Sequence, residues 1–161
     1  MTFKEWELDH NNKVDTILKK LGNISHEEVT NYFNYDNMIK TEPNFCELYK
    51  TNSKCHDMDD LNCFLCGCPF FKYSDNAPLL KENGIDIMSI CVINSKNAGT
   101  YIQDGKQQCD CSGCIIPHKQ RFVKRHLEAI DKDYAVIDSV STLEWIRGLQ
   151  LSEIFGKWKL F

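Results

Sequence analysis

Apolar positions along this chain fall into three regimes. From Asp15 to Leu21 (DTILKKL), Ile17, Leu18 and Leu21 recur at helical spacing, and Gly22 follows as a stop. Ser25 to Glu28 (SHEE) then reads as a capping box. Val29, Tyr32 and Phe33 supply the apolar stripe of a second helix, and these aromatics are assigned to core packing. Between residues 44 and 62 the periodicity is lost. Asn44, Asn52, Ser53, Asp57, Asp59, Asp60 and Asn62 punctuate the stretch, which argues against long regular elements before Cys63. The run IDIMSICVI (85–93) reads as one buried strand or a short helix, and its length and β-branched content favour the strand. Helical period returns in KQRFVKRHLEAI. Phe122, Val123, Leu127 and Ile130 mark one face there, and Lys119, Arg121, Lys124 and Arg125 surround it. DYAVID (133–138) is expected as a short strand. STLE (141–144) is expected as a further capping box, ahead of Leu143, Ile146, Leu149 and Ile154.

Cysteine placement sharpens this division. All nine cysteines lie between Cys46 and Cys114. The expected organisation is a helical segment over 1–41, a cysteine-rich metal-binding domain over 42–120, and a second helical segment over 121–161. The fold class is α+β: a small, irregular, metal-stapled core with helical ends. A net charge of −4 argues against a general nucleic-acid binder, which carries a basic footprint. No apolar run approaches the roughly 20 residues of a membrane span, and MTFKEWELDHNNK lacks the apolar core of an export signal. The expected location is therefore the cytoplasm, with no membrane partner. In that reducing compartment, clustered cysteines bind metal or perform chemistry more often than they form disulfides.

Two clusters carry the ligand arithmetic. The first is Cys63-x-x-Cys66-x-Cys68; the second is Cys109-x-Cys111-x-x-Cys114-x-x-x-His118. A C-x-x-C turn lets two thiolates converge on one cation, half of many structural zinc sites. Cys46, Cys55 and His56 are outlying candidates. Both C-x-x-C pairs with Cys68, His118, Cys46 and Cys55 make enough ligands for two tetrahedral sites, leaving His56 as an alternate ligand or an orienting neighbour. A single site using the two C-x-x-C pairs is the simpler alternative, and spacing does not assign ligands to sites. Zinc suits this donor set, with iron or an iron–sulfur cluster as the alternative. Cys91 reads as a small buried hydrophobe. Cys109 reads as a spare thiol, substitute ligand or redox partner. His10, His26 and His126 are expected on helix surfaces.

The series Asn44-Phe-Cys46-Glu-Leu-Tyr49, Cys55-His56, Asn62-Cys63-Phe-Leu-Cys66-Gly-Cys68-Pro69-Phe-Phe71 and Cys111-Ser-Gly-Cys114-Ile-Ile-Pro117-His118 resembles the cysteine-rich small domain family. That family comprises metal-binding modules of prokaryotes, some attached to a threonine-phosphate decarboxylase of cobamide biosynthesis. The resemblance covers roughly residues 42–120. It places Cys46, Cys55, His56, Cys63, Cys66, Cys68, Cys111, Cys114 and His118 at the family's cysteine and histidine positions. Lys54 stands where the family has proline, and the stretch between clusters is longer here. Nothing in the chain resembles the decarboxylase itself. The expected function is a zinc-binding accessory or interaction module, whose partner is the metal ion and possible further partners a protein or a phosphate-bearing small molecule. An iron or iron–sulfur redox protein or metalloenzyme linked to cobamide metabolism is one alternative. A zinc-knuckle nucleic-acid binder, resting on the basic residues after His118, is the other.

Overall fold

The computed structural model describes residues 2–134. Helix α1 (Phe3–Leu21) begins well before Asp15. The Thr2 side chain accepts from the Glu5 N–H, and Glu5 accepts from the Thr2 N–H, closing a capping box. Trp6, His10, Val14 and Ile17 follow one another at three- and four-residue steps, so they share a face. Gly22 ends the helix at φ 71°, donating its N–H to the Leu18 carbonyl, in a conformation glycine adopts without steric cost. Helix α2 (His26–Tyr32) carries the expected Ser25–Glu28 capping box. Helix α3 (Tyr35–Thr41) follows at once, because Asn34 caps it by accepting from the Asp36 N–H. Helix α4 (Gln120–Tyr134) packs against α2 and buries Val123 completely. DYAVID beyond Tyr134, and STLE, lie outside the described residues; Asp133 and Tyr134 belong to α4.

The core lies between these helices and the 42–66 loop. Phe33, Met38, Leu61 and Val123 are shielded from solvent, and the Phe33 ring meets Phe64 and Phe45 edge-on at 5.0 and 6.1 Å. His10 departs from its expected surface position. It is buried, stacked on Trp6 at 5.4 Å and set edge-on to Phe45 at 5.2 Å. Burial lowers its pKa to about 4, against a hydrogen bond to the Phe64 carbonyl that acts the other way. An imidazole on the apolar stripe of α1 is core material, provided it stays neutral. His26 and His126 are half-buried rather than fully exposed.

Among the described residues, six short strands form two sheets: β1 (Phe71–Tyr73), β2 (Leu80–Glu82), β3 (Ile85–Ile87), β4 (Ser89–Cys91), β5 (Gly99–Gln103) and β6 (Lys106–Asp110). β1 pairs with β4 antiparallel, and the other sheet has the order β2-β3-β6-β5. The single strand expected over 85–93 is thus two. β3 pairs with β2 and β6, β4 turns to β1, and Met88 between them donates its N–H to the Gln107 carbonyl. The two halves serve different partners, which a continuous apolar run does not reveal. Asn83-Gly84 and Asp104-Gly105, all at positive φ, turn the hairpins β2–β3 and β5–β6. The α+β class stands, and the segment before Cys63 is irregular apart from a 3-10 turn over Glu47–Thr51.

Candidate metal centre

The loop that carries Cys63 is held from both sides. The Cys63 N–H donates to the Phe33 carbonyl at 2.8 Å, and the Tyr35 N–H donates to the Leu61 carbonyl at 2.8 Å. On the other side, the Asn62 N–H donates to the His118 carbonyl at 2.9 Å. Leu61-Asn62 therefore runs as a strand-like splint between the end of α2 and the residues before α4. It brings the first C-x-x-C loop beside His118, although 55 positions separate Cys63 from His118.

Asn62 is the residue whose role sequence reasoning missed. It is fully buried. Its Nδ2 donates to the Thr30 carbonyl at 2.7 Å, and its Oδ1 accepts from the Phe64 N–H at 3.0 Å. One side chain thus satisfies an orphan carbonyl at the end of α2 and an amide at the start of the C-x-x-C loop. Its own carbonyl lies 3.0 Å from His118 Nδ1. A carbonyl can only accept, so Nδ1 carries the proton and the Nε2 lone pair is left free. Burial also lowers the His118 pKa, against the hydrogen bond to the Asn62 carbonyl and with His56 adding to the lowering, which favours the neutral ring. This is how metal-ligating histidines are oriented: one ring nitrogen tied to a backbone acceptor, the other presented.

His118 Nε2 faces Cys55 Sγ at 4.0 Å, and the His56 ring lies 4.8 Å from the His118 ring. The ligand atoms of Cys55, His56 and His118 all fall within 4.8 Å of one another. His118 is buried, His56 half-buried and Cys55 exposed, so the group sits at the protein surface. Further sulfurs adjoin it. Desolvation of the Cys55 thiol pushes its pKa up to about 11, and the charges of Cys63 and then Cys46 push the same way. Cys66 is also raised, first by its hydrogen bond with Cys63, then by burial and by the charges of Cys63, Cys55 and Cys46. Cys63 moves the other way. Hydrogen bonds from Cys66 and from the Tyr49 hydroxyl, at 3.0 Å, favour its thiolate against burial. The Tyr35 hydroxyl is buried without a hydrogen-bond partner, and its pKa is raised by burial, Asp36 and the charges of Cys63, Cys46 and Cys55.

Cys68, Cys111 and Cys114, also expected as ligands, fall into a different group. The charges of Cys114 and Cys91 act on Cys68, after burial and a backbone hydrogen bond. Burial, then Cys109, Cys91 and Cys68 raise Cys111. The two C-x-x-C pairs therefore contribute to separate sulfur groups, and Cys68 leaves the pair it adjoins in sequence. Cys91, expected as a buried hydrophobe, is half-buried and belongs to the second group. Ile90 beside it lies in β4, but Val92 and Ile93 are exposed, so the apolar run concealed both the end of the strand and the position of the thiol. Among the basic residues after His118, Lys124 pairs with Glu27 at 2.9 Å, while Lys119, Arg121 and Arg125 are exposed.

No family model, no curated protein and no solved structure matches the chain. The chemistry of the donor set must therefore carry the functional argument. Cys55, His56 and His118 converge beside Asn62, and burial with neighbouring sulfur charge holds the Cys55 and Cys66 thiols above their ordinary range. A cation reverses that penalty, because a coordinating thiol is deprotonated outright. The residues present fit a borderline-soft divalent metal.

Proposed function

We propose that this chain is a metal-binding protein whose first centre takes zinc through Cys55, His56, His118 and Cys63. The observation that carries the reading is the convergence of Cys55, His56 and His118 within 4.8 Å, with Asn62 fixing the proton of His118 on Nδ1. Cys63 is chosen as fourth ligand because its charge acts on Cys55 more strongly than that of any other thiol. Zinc bound there would supply a cross-link between the 53–60 loop, the C-x-x-C loop and the turn before α4. Such a cross-link contributes on the order of 10–16 kcal/mol of apparent binding energy to folding, comparable to the whole stability of an ordinary domain, about 5–15 kcal/mol. Four protein ligands close the coordination sphere, so the role is structural. The chain then acts as an accessory or interaction module in the cytoplasm. The ordered motifs shared with the cysteine-rich small domain family support that role, and a tie to cobamide metabolism rests on the resemblance alone.

A second reading has its own support. The charges of Cys63 and Cys46 act on both Cys55 and Cys66, and a set of four thiols also suits an iron–sulfur cluster. Elemental analysis and absorption spectroscopy of anaerobically purified protein separate the two. Colourless protein that binds zinc and loses one equivalent in Cys55→Ser and in His118→Ala is the expected result. Brown protein with acid-labile sulfide would install the iron–sulfur reading, and wild-type protein free of metal would overturn both.

A further inference from the structure

Cys109 and Cys111 take no part in the proposed zinc centre, yet their sulfurs lie 3.5 Å apart, at contact distance. Both are free thiols. The chain brings them together for a local reason. Residues two positions apart project to the same side of extended chain, and β6 stays extended as far as Asp110. Cys109 is opposite Thr100 and Asp110 is opposite Gly99, so the β5–β6 ladder ends one residue before Cys111.

Cys109 is also fixed on its other flank. Its N–H donates to Ser89 Oγ at 2.8 Å, and that hydroxyl donates to Gln108 Oε1 at 2.9 Å. The Cys91 N–H donates to the Cys109 sulfur. Cys109 is buried, whereas Cys111 is half-buried between exposed Asp110 and Ser112. Past Cys111 the chain turns: the Ser112 N–H donates to Asp110 Oδ1 at 2.9 Å, and the Cys114 N–H donates to the Cys111 carbonyl at 3.0 Å. One sulfur is thus anchored in a paired strand, and the other sits on the turn that follows it. Bonded sulfurs stand about 2 Å apart, so closing the pair takes an approach of about 1.5 Å. The Cys111 side chain, at the less buried end, can make that movement.

We infer that Cys109 and Cys111 form a dithiol–disulfide site, oxidised by a peroxide and reopened by a dithiol reductant. Hydrogen peroxide is little larger than water, which suits a pair whose inner sulfur is buried. One thiolate attacks a peroxide oxygen. The O–O bond breaks, hydroxide leaves and takes the thiol's proton to become water, and a sulfenic acid remains. The second sulfur gives up its proton and attacks the sulfenic sulfur. The S–O bond breaks, the S–S bond forms, and the departing hydroxide takes that proton as the second water. Two thiols and one peroxide give a disulfide and two waters; the sulfurs lose two electrons and the peroxide gains them. A dithiol reverses the bridge by exchange and becomes a disulfide itself. This bridge would span a single residue at a surface turn, and strained or exposed disulfides are the labile ones, with regulatory or catalytic rather than bracing roles. The inference uses none of the zinc ligands and stands apart from the zinc reading.

The test uses the full chain, purified anaerobically, reduced, and treated with one equivalent of hydrogen peroxide. Unmutated protein is denatured, its remaining thiols are alkylated, and the bridge is mapped by mass spectrometry. Proteolysis before Asp110 separates the two cysteines, so only a bridge across that position holds the fragments together. Joined fragments are expected, with Cys109 and Cys111 escaping alkylation and recovering it after dithiothreitol. The bridge should persist in Cys114→Ser and be lost in Cys109→Ser and in Cys111→Ser. Bound zinc, followed with a chromophoric chelator, should not change on oxidation. Protein that forms the bridge but holds no zinc would overturn the zinc reading and leave this one standing. Zinc-loaded protein whose first equivalent of peroxide oxidises other cysteines, with Cys109 and Cys111 both alkylated, would overturn the redox pair and leave the zinc centre standing. A bridge abolished by Cys114→Ser would overturn the pairing.

Discussion

Replacing Asn62 with leucine tests whether one buried amide holds the metal-bearing loop in place. The two side chains have the same number and branching of heavy atoms and leucine is the bulkier, so the cost is one of hydrogen bonds rather than of a cavity. Two bonds are lost, Nδ2 to the Thr30 carbonyl and the Phe64 N–H to Oδ1. Both orphaned groups stay buried, because position 62 is shielded completely. Leaving a buried donor or acceptor unsatisfied costs about 1–3 kcal/mol, so with two such groups Asn62→Leu should lose about 2–6 kcal/mol. Equilibrium urea unfolding of metal-loaded protein, at fixed free metal, reads this directly. With a slope of about 1–3 kcal/mol per molar for a small domain, the midpoint should fall by about 1 M or more with the slope unchanged. The contact to His118 Nδ1 uses the backbone carbonyl, which survives the substitution. Metal stoichiometry at saturation should therefore persist. A loss below about 0.5 kcal/mol would refute the argument that Asn62 joins α2 to the C-x-x-C loop.

Two further outcomes follow from individual contacts. Tyr49→Phe removes the hydroxyl that donates to Cys63 Sγ at 3.0 Å, and loss of such a partner typically weakens metal affinity about 10–100-fold; competition with a chromophoric chelator measures it, and unchanged affinity would exclude Cys63 as a ligand supported in this way. His10 has its pKa lowered from 6.5 to about 4 by burial, so the unfolded chain binds the proton first on acidification. Its contribution is complete above about pH 6.5 and is lost as pH falls towards 4, about 3 kcal/mol in all. His10→Phe should flatten the stability–pH curve across that window relative to wild type, and parallel curves would show that the imidazole is not held neutral in the core.

The helical ends were partly legible because their signals are local. The Ser25–Glu28 box and Gly22 lie within a few residues of the structure they specify. The same logic applied at Thr2–Glu5, where the box was present, but the polar residues between Trp6, His10 and Val14 hid the start of α1. Asn83-Gly84 and Asp104-Gly105 were equally local hairpin signals within an otherwise featureless stretch. The cysteine clusters marked where the chemistry lies, but not how it divides. Division depends on β1 pairing with β4 and on the splint at Leu61-Asn62, both long-range contacts. Cys91 shows the limit most plainly. Its neighbours in SICVIN spell a buried strand, and only the folded chain shows that its sulfur accepts from the Ser95 N–H.

Gly67 is the single residue between Cys66, beside Tyr49 and Cys63, and Cys68, beside Cys91 and Cys114. Two steps of extended chain span no more than about 7 Å, so the two sulfur groups share a very short tether. Ordering the C-x-x-C turn therefore also restricts Cys68, so motion at one sulfur group is passed to the other through a single residue.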